Sequence, residues 1–166
     1  MHCTAPYLRA LFAVASRPEV VSLAGGMPNL SALPLDAVGK LMGELVQTRR
    51  AQALQYGSGQ GDPHLRELIC TVMALEGIEA SPEDVVVTVG SQQALDLVTR
   101  VFIDPGDVVI AEAPSYVGAL GTFAAYQADV VQVGIDGDGM RIDELTETLD
   151  RLDREGRRPK FIYTIP

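Results

Sequence analysis

Cysteine occurs only at Cys3 and Cys70, too few for a disulfide framework in a chain with ample apolar side chains for a core. The usage fits a reducing cytoplasm. Positive charge is also scarce: 13 Lys plus Arg face 22 Asp plus Glu, for a net charge of −9. That balance opposes attraction to nucleic acid or to an anionic membrane surface. No apolar run reaches the roughly eighteen residues of a membrane span, and the start Met1-His2-Cys3-Thr4-Ala5-Pro6 lacks the basic and apolar regions of a secretory signal. Neither export nor membrane insertion is expected. With 47% hydrophobic and 21% charged residues, and 16 Gly and 10 Pro among 166 residues, the composition is that of an ordinary globular chain of single-domain length.

Apolar positions set out the elements. Thr4-Ala5-Pro6 followed by Tyr7, Leu8, Leu11, Phe12 and Ala15 predicts a short helix ending near Pro18. Val20-Val21-Ser22-Leu23 is extended and stops at Gly25-Gly26. Leu35, Val38, Leu41, Met42, Leu45 and Val46 recur at helical spacing and predict an amphipathic helix to Gln47. Asp62-Pro63 reads as an N-cap with proline at the first helical position, and Gly77 ends that second helix. Ser81 to Asp84 resembles a capping turn leading into Val85-Val86-Val87-Thr88-Val89, a β-branched run suited to a buried strand. Helices over Ser91–Phe102, after Pro114 and over Asp143–Glu155 then alternate with strands Val108–Ala111, Val130–Val133 and Phe161–Ile165. Such alternation predicts an α/β fold, with a mostly parallel sheet and flanking helices.

Ligands of open α/β sheets collect at the carboxyl ends of strands. After Val89 come Gly90-Ser91-Gln92-Gln93, where glycine permits a tight turn, serine is a candidate cap, and helix N–H groups face an anion. A plain strand-to-helix turn explains the same local pattern and is the more frequent case. Neither the Walker loop nor the dinucleotide glycine fingerprint is matched. Gly57-Ser58-Gly59-Gln60-Gly61 follows a helix and Tyr56, and by pattern it is a flexible connection. Glu112-Ala113-Pro114-Ser115-Tyr116 sets an aromatic ring at the rim, either to stack on a flat cofactor or to anchor its helix.

Taken in order, Ser22-Leu23-Ala24-Gly25-Gly26-Met27-Pro28, Leu54-Gln55-Tyr56 with Gly61 and Leu65-Arg66, Thr88 to Leu97, and Glu112 to Tyr116 resemble the pyridoxal-phosphate-dependent aminotransferases of fold type I. Within them the 2-aminoadipate and kynurenine aminotransferase-like branch is most similar. The resemblance implies an incomplete large domain of that fold, with residues 1–50 as N-terminal arm and helices and residues 51–166 as a partial cofactor-binding domain. It implies pyridoxal 5'-phosphate as cofactor, an amino acid and a 2-oxo acid as substrates, and a homodimer. Carried over residue by residue, it implies that Ser91 and Gln92 hold the cofactor phosphate, with Gln93 adjacent. It further implies that Tyr116 stacks on the pyridine ring and that Tyr56 reaches the phosphate of the other subunit. Gly26 would lie beside the substrate α-carboxylate, and Arg9 would pair with a side-chain carboxylate.

The Schiff-base lysine of that family has no counterpart, because lysine occurs only at Lys40 and Lys160, neither in the family's serine-lysine context. The implied catalytic set is therefore empty, and this chain by itself is expected to turn over little or nothing. Two other readings stay open on sequence: a non-catalytic transaminase fragment that associates with a partner, and a generic nucleotide-binding α/β domain. Unpaired strand edges and uncovered apolar faces predict poor solubility or promiscuous dimerisation.

Overall fold

The computed structural model describes residues 13–15, 17, 19–21 and 30–165. The sequence-predicted helix from Thr4, the Gly25-Gly26 loop, Arg9 and Gly26 therefore lie outside the described residues, apart from a helical stretch at 13–15. Two compact units are present, one within Met27–Thr88 and one containing Val89–Pro166.

In the first unit, helix α1 runs over Leu35–Arg49 and helix α2 over Pro63–Leu75. The stripe that makes α1 a helix stays uncovered: none of its residues is buried, and Leu41 and Met42 are more than 60% exposed. Helix α2 starts where the sequence predicts. Asp62 Oδ1 accepts the Leu65 N–H at 3.0 Å and its Oδ2 accepts from Arg49 Nη1 at 2.9 Å, a carboxylate placed at the positive end of the helix. Gly77, at φ +75°, stops α2 in a Schellman arrangement, with Gly77 N–H bonded to Ala74 O and Ile78 N–H to Met73 O. Ser81 and Asp84 form the expected capping box, each side chain accepting a backbone N–H of that turn.

The glycine loop has a more specific role than a flexible connection. Gly61 sits at φ +102°, and a Cβ there would fall 2.6 Å from the Cβ of Val87. The backbone therefore approaches as only glycine allows, and the Val87 N–H donates to Gln60 O at 2.8 Å. Arg66, 7% exposed, ties α2 to this region by donating from Nη1 to Pro82 O at 2.7 Å.

The expected strand at Val85–Val89 does not form; the segment joins no ladder among the described residues. Val85 is buried, but Val86 and Val89 are 52% and 88% exposed. β-Propensity expresses packing against neighbouring strands, and among the described residues none pairs with this segment.

The second unit is built on a four-stranded sheet of order β3-β2-β1-β4, from β1 (Val108–Ala113), β2 (Asp129–Asp136), β3 (Gly139–Met140) and β4 (Pro159–Tyr163). Strand β1 pairs in parallel with β2 and with β4, while β3 turns back antiparallel on β2 through the predicted Asp136–Gly139 turn. Helix α3 spans Gly90–Phe102, α4 Val117–Ala125 and α5 Ile142–Arg154. Central β1 is covered on both faces. Val109 packs with Ile103, Ala119 and Phe123, and its neighbours Val108 and Ile110 pack with Val133 and Leu152, the two-residue period that sends alternate side chains to opposite faces. Phe123 meets Phe161 and Tyr163 edge to face, with centroids 5.6 Å apart in each pair. This is the predicted α/β architecture. The final strand ends at Tyr163, two residues short of the expected Ile165, for a reason found at the sheet's carboxyl edge.

Candidate active site

Two helices begin at that edge. Helix α3 opens with Gly90 at φ +72°, which excludes most side chains, and its N-cap is Val89 rather than the serine expected from the sequence. Valine has no oxygen to offer, so the N-cap side chain makes no hydrogen bond to the first turn. Instead Gln93 folds back, its Oε1 accepting the Val89 N–H at 2.6 Å. Ser91, Gln92 and Gln93 are exposed there, at the positive end of a thirteen-residue helix. Gln92 points its amide to α4: Nε2 donates to Thr122 Oγ1 at 2.6 Å, and the Thr122 hydroxyl donates to Gly118 O at 3.0 Å. Deeper along the same helices, Tyr126 donates to Asp96 Oδ1 at 2.8 Å while Arg100 Nε donates to the Tyr126 oxygen at 3.0 Å.

Helix α4 carries Tyr116 at its N-cap, directly after the cis Ala113–Pro114 bond and Ser115. The ring is 38% exposed. It folds over Gly118, where a Cβ would come within 2.5 Å of ring atoms Cε1 and Cζ. The Ser115 hydroxyl is buried without a partner among the described residues. Thus the fold links the first turn of α3 to that of α4 through Gln92, Thr122 and Gly118, and so joins four sequence-predicted residues: Ser91, Gln92, Gln93 and Tyr116.

The neighbouring exit belongs to β4. Glu112, only 5% exposed, accepts the Thr164 hydroxyl on Oε1 and the Ile165 N–H on Oε2 at 3.0 Å. This carboxylate takes over where the β1–β4 ladder ends, which is why Thr164 and Ile165 leave the strand. Tyr163, the last residue of β4, has its hydroxyl held above the usual tyrosine range, first by burial and then by the nearby Tyr116 and Glu112 charges.

Tyr56 belongs to the other unit and is 99% exposed. It lines an open groove of 740 Å³ with Arg49, Gln52, Asp62, His64 and Leu68. Both lysines are engaged elsewhere: Lys40 with Glu44 on α1 at 3.8 Å, and Lys160 with Asp107 at 3.2 Å, at the end of β4 opposite the rim. Cys70 is free. Among the described residues no group of side chains is arranged to hold a metal, and no helix is long and apolar enough to cross a membrane. Sequence reasoning missed Thr122, Gly118 and Thr164, whose roles depend on contacts between distant segments and leave no local pattern.

An anion fits this edge: the N-cap residue of α3 offers no side-chain oxygen, Ser91, Gln92 and Gln93 face solvent, and an aromatic ring stands at the start of the helix to which α3 is bonded. Residues 18–165 match the family model described as aminotransferase class I and II. The chain is 42% identical over 160 residues to aromatic-amino-acid aminotransferase 1 of Thermococcus litoralis, and 36% identical over 159 residues to 2-aminoadipate transaminase of Thermus thermophilus. Each alignment covers 96% of this chain and 38% of the relative, so the chain spans well under half the length of these proteins. The crystal structure of Pyrococcus horikoshii kynurenine aminotransferase, in complex with PMP, superposes with a TM-score of 0.88 at 36% identity, covering 99% of this chain and 41% of that one. The chain belongs to the class I and II aminotransferases. Its described part has the architecture of an incomplete large domain of fold type I, a mostly parallel sheet with flanking helices.

Proposed function

We propose that this chain contributes the N-terminal part of a pyridoxal-phosphate-dependent aminotransferase that moves an amino group from an amino acid to a 2-oxo acid. The observation that carries the reading is the solvent-exposed stretch Ser91–Gln93 that opens α3, hydrogen-bonded through Gln92 to the helix that begins at Tyr116. Pyridoxal phosphate, when bound, supplies an electron sink for the α-carbon of an amino acid. Ser91 and the N–H groups of the α3 first turn bind its phosphate dianion, which helix polarity favours. The side chain of Gln92 orients that turn, because its amide is committed to Thr122, while its backbone faces the anion. Gln93 holds the Val89 N–H and so shapes the entry to the helix. Tyr116 covers one face of the pyridine ring.

In the same reading Tyr56 completes the phosphate site of a second subunit in a homodimer, Gly26 leaves room for the substrate α-carboxylate, and Arg9 receives an acidic substrate side chain. Residues 1–50 then serve as arm and helices, residues 51–166 as part of the cofactor domain, and the protein works in the cytoplasm. The chain by itself transaminates little or not at all, because lysine occurs only at Lys40 and Lys160, which are ion-paired to Glu44 and Asp107 and stand outside the family's serine-lysine context for a Schiff base.

Equilibrium dialysis of pyridoxal phosphate against the purified chain tests the binding role. Saturable binding that Ser91→Glu abolishes is expected, since a carboxylate in the first turn repels the phosphate. Absence of saturable binding, or equal binding by the Ser91→Glu variant, would refute it. Sustained consumption of 2-oxoglutarate by the chain alone would refute the stated lack of turnover.

A further inference from the structure

The last backbone pair between β1 and β4 is Ala111 with Tyr163. Another ladder pair would hold Thr164 beside Glu112 without any charge, yet the fold uses a carboxylate there instead. Glu112 is 5% exposed, and both of its oxygens are engaged, one by the Thr164 hydroxyl and the other by the Ile165 N–H at 3.0 Å. A buried carboxylate is tolerated only when its oxygens are satisfied, so these two bonds are coupled: losing either leaves the charge underbonded. The site lies at the carboxyl ends of two parallel neighbours, where Tyr116 follows β1 after three residues and Tyr163 ends β4. A purely structural join of β1 to β4 is already provided by the ladder, and β4 is further held to α4 by Phe161 and Tyr163 against Phe123.

We infer that Glu112 is a positioning residue that directs the chain leaving β4 along the rim occupied by Tyr116, and so sets the opening into which the pyridine ring of the cofactor enters. The inference rests on the cofactor role proposed above. Glu112 touches neither the cofactor nor the substrate in this scheme; it acts through Thr164 and Ile165. The raised Tyr163 hydroxyl, on which both Tyr116 and Glu112 act, reports the same crowding of groups at one edge.

Three variants separate this role from simple stability. Thr164→Val removes the hydroxyl at nearly constant volume, Thr164→Ser retains it, and Glu112→Leu keeps a similar volume while removing both acceptor oxygens. For each, three quantities are measured: the pyridoxal phosphate dissociation constant by dialysis, the amide exchange rates of Ile165 and Val109, and the thermal midpoint. Thr164→Val and Glu112→Leu are expected to weaken binding about tenfold. They should also accelerate exchange at Ile165 while Val109 in the sheet centre keeps its protection, and Thr164→Ser should behave as the parent. Faster Ile165 exchange with unchanged affinity would overturn the positioning role and leave Glu112 as a strand join. Unchanged Ile165 exchange in Glu112→Leu, which removes both acceptors, would overturn the clamp itself. A parent chain that binds no pyridoxal phosphate would overturn the cofactor role and this inference with it, an outcome separated from the other two by the parent's own titration.

Discussion

The side-chain amide of Gln92 donates to the hydroxyl of Thr122 at 2.6 Å, so a residue read from sequence as a phosphate contact spends its side chain on joining two helices. Thr122 is 8% exposed and passes its own proton to Gly118 O. Thr122→Val keeps the volume and breaks both bonds. It is expected to cost about 1 kcal/mol of stability, and a double-mutant cycle with Gln92→Ala in denaturant melts should give a coupling energy of about 0.5–1 kcal/mol. Additive effects would mean that the two side chains do not interact in solution.

Two glycines predict opposite outcomes for the same substitution. A Cβ at Gly118 meets the far end of the Tyr116 ring, which can swing aside. Gly118→Ala should therefore change stability by less than about 1 kcal/mol while moving Tyr116 outward, seen as greater tyrosine exposure and weaker pyridoxal phosphate binding. At Gly61 the Cβ meets the Cβ of Val87, close to the backbone, with φ at +102°. Gly61→Ala should cost roughly 1–3 kcal/mol, measured as a lower denaturation midpoint.

Tyr163 should ionise above the ordinary tyrosine range, because burial and the neighbouring Tyr116 and Glu112 charges disfavour its phenolate. The folded value is raised, so the stability it contributes is fully present below the unfolded pKa near 10 and is lost as pH rises through the folded value. The chain contains no tryptophan and five tyrosines, so phenolate absorbance near 295 nm reads the titration directly. Tyr163→Phe should remove the component that titrates above the ordinary range and flatten the alkaline loss of stability.

The apolar stripe of α1 has no buried residue in this chain. Leu41 and Met42 are 63% and 64% exposed, and such contiguous apolar surface drives association. Sedimentation of the purified chain should show concentration-dependent self-association, which Leu41→Glu with Met42→Lys reduces. A monodisperse monomer with a sharp cooperative melt would contradict this.

Local chemistry made much of the fold legible. Asp62-Pro63, Ser81 with Asp84, and Gly77 mark helix ends because each satisfies or interrupts backbone hydrogen bonds within a few residues. Strands Val108–Ala113 and Asp129–Asp136 follow from β-branched runs between turn residues. The run at Val85–Val89 has the same composition and forms no strand, since a ladder requires a partner that sequence alone does not supply. The short β3 escaped notice because two residues carry no periodicity.

The sequence by itself determined the alternation of helices and strands, the glycine at the head of α3 and the order of motifs that marks an aminotransferase, all of which depend on residues close together in the chain. Tertiary structure alone decided what the motif side chains do. Gln92 meets Thr122 across 30 positions, and Glu112 meets Thr164 across 52. It also decided that the N-cap position of α3 falls on Val89 and not on Ser91, and that β4 ends at Tyr163 because a buried carboxylate takes the next two residues. Such pairings depend on which polar groups the packed core leaves in need of a partner, and that is set only when distant segments are brought together.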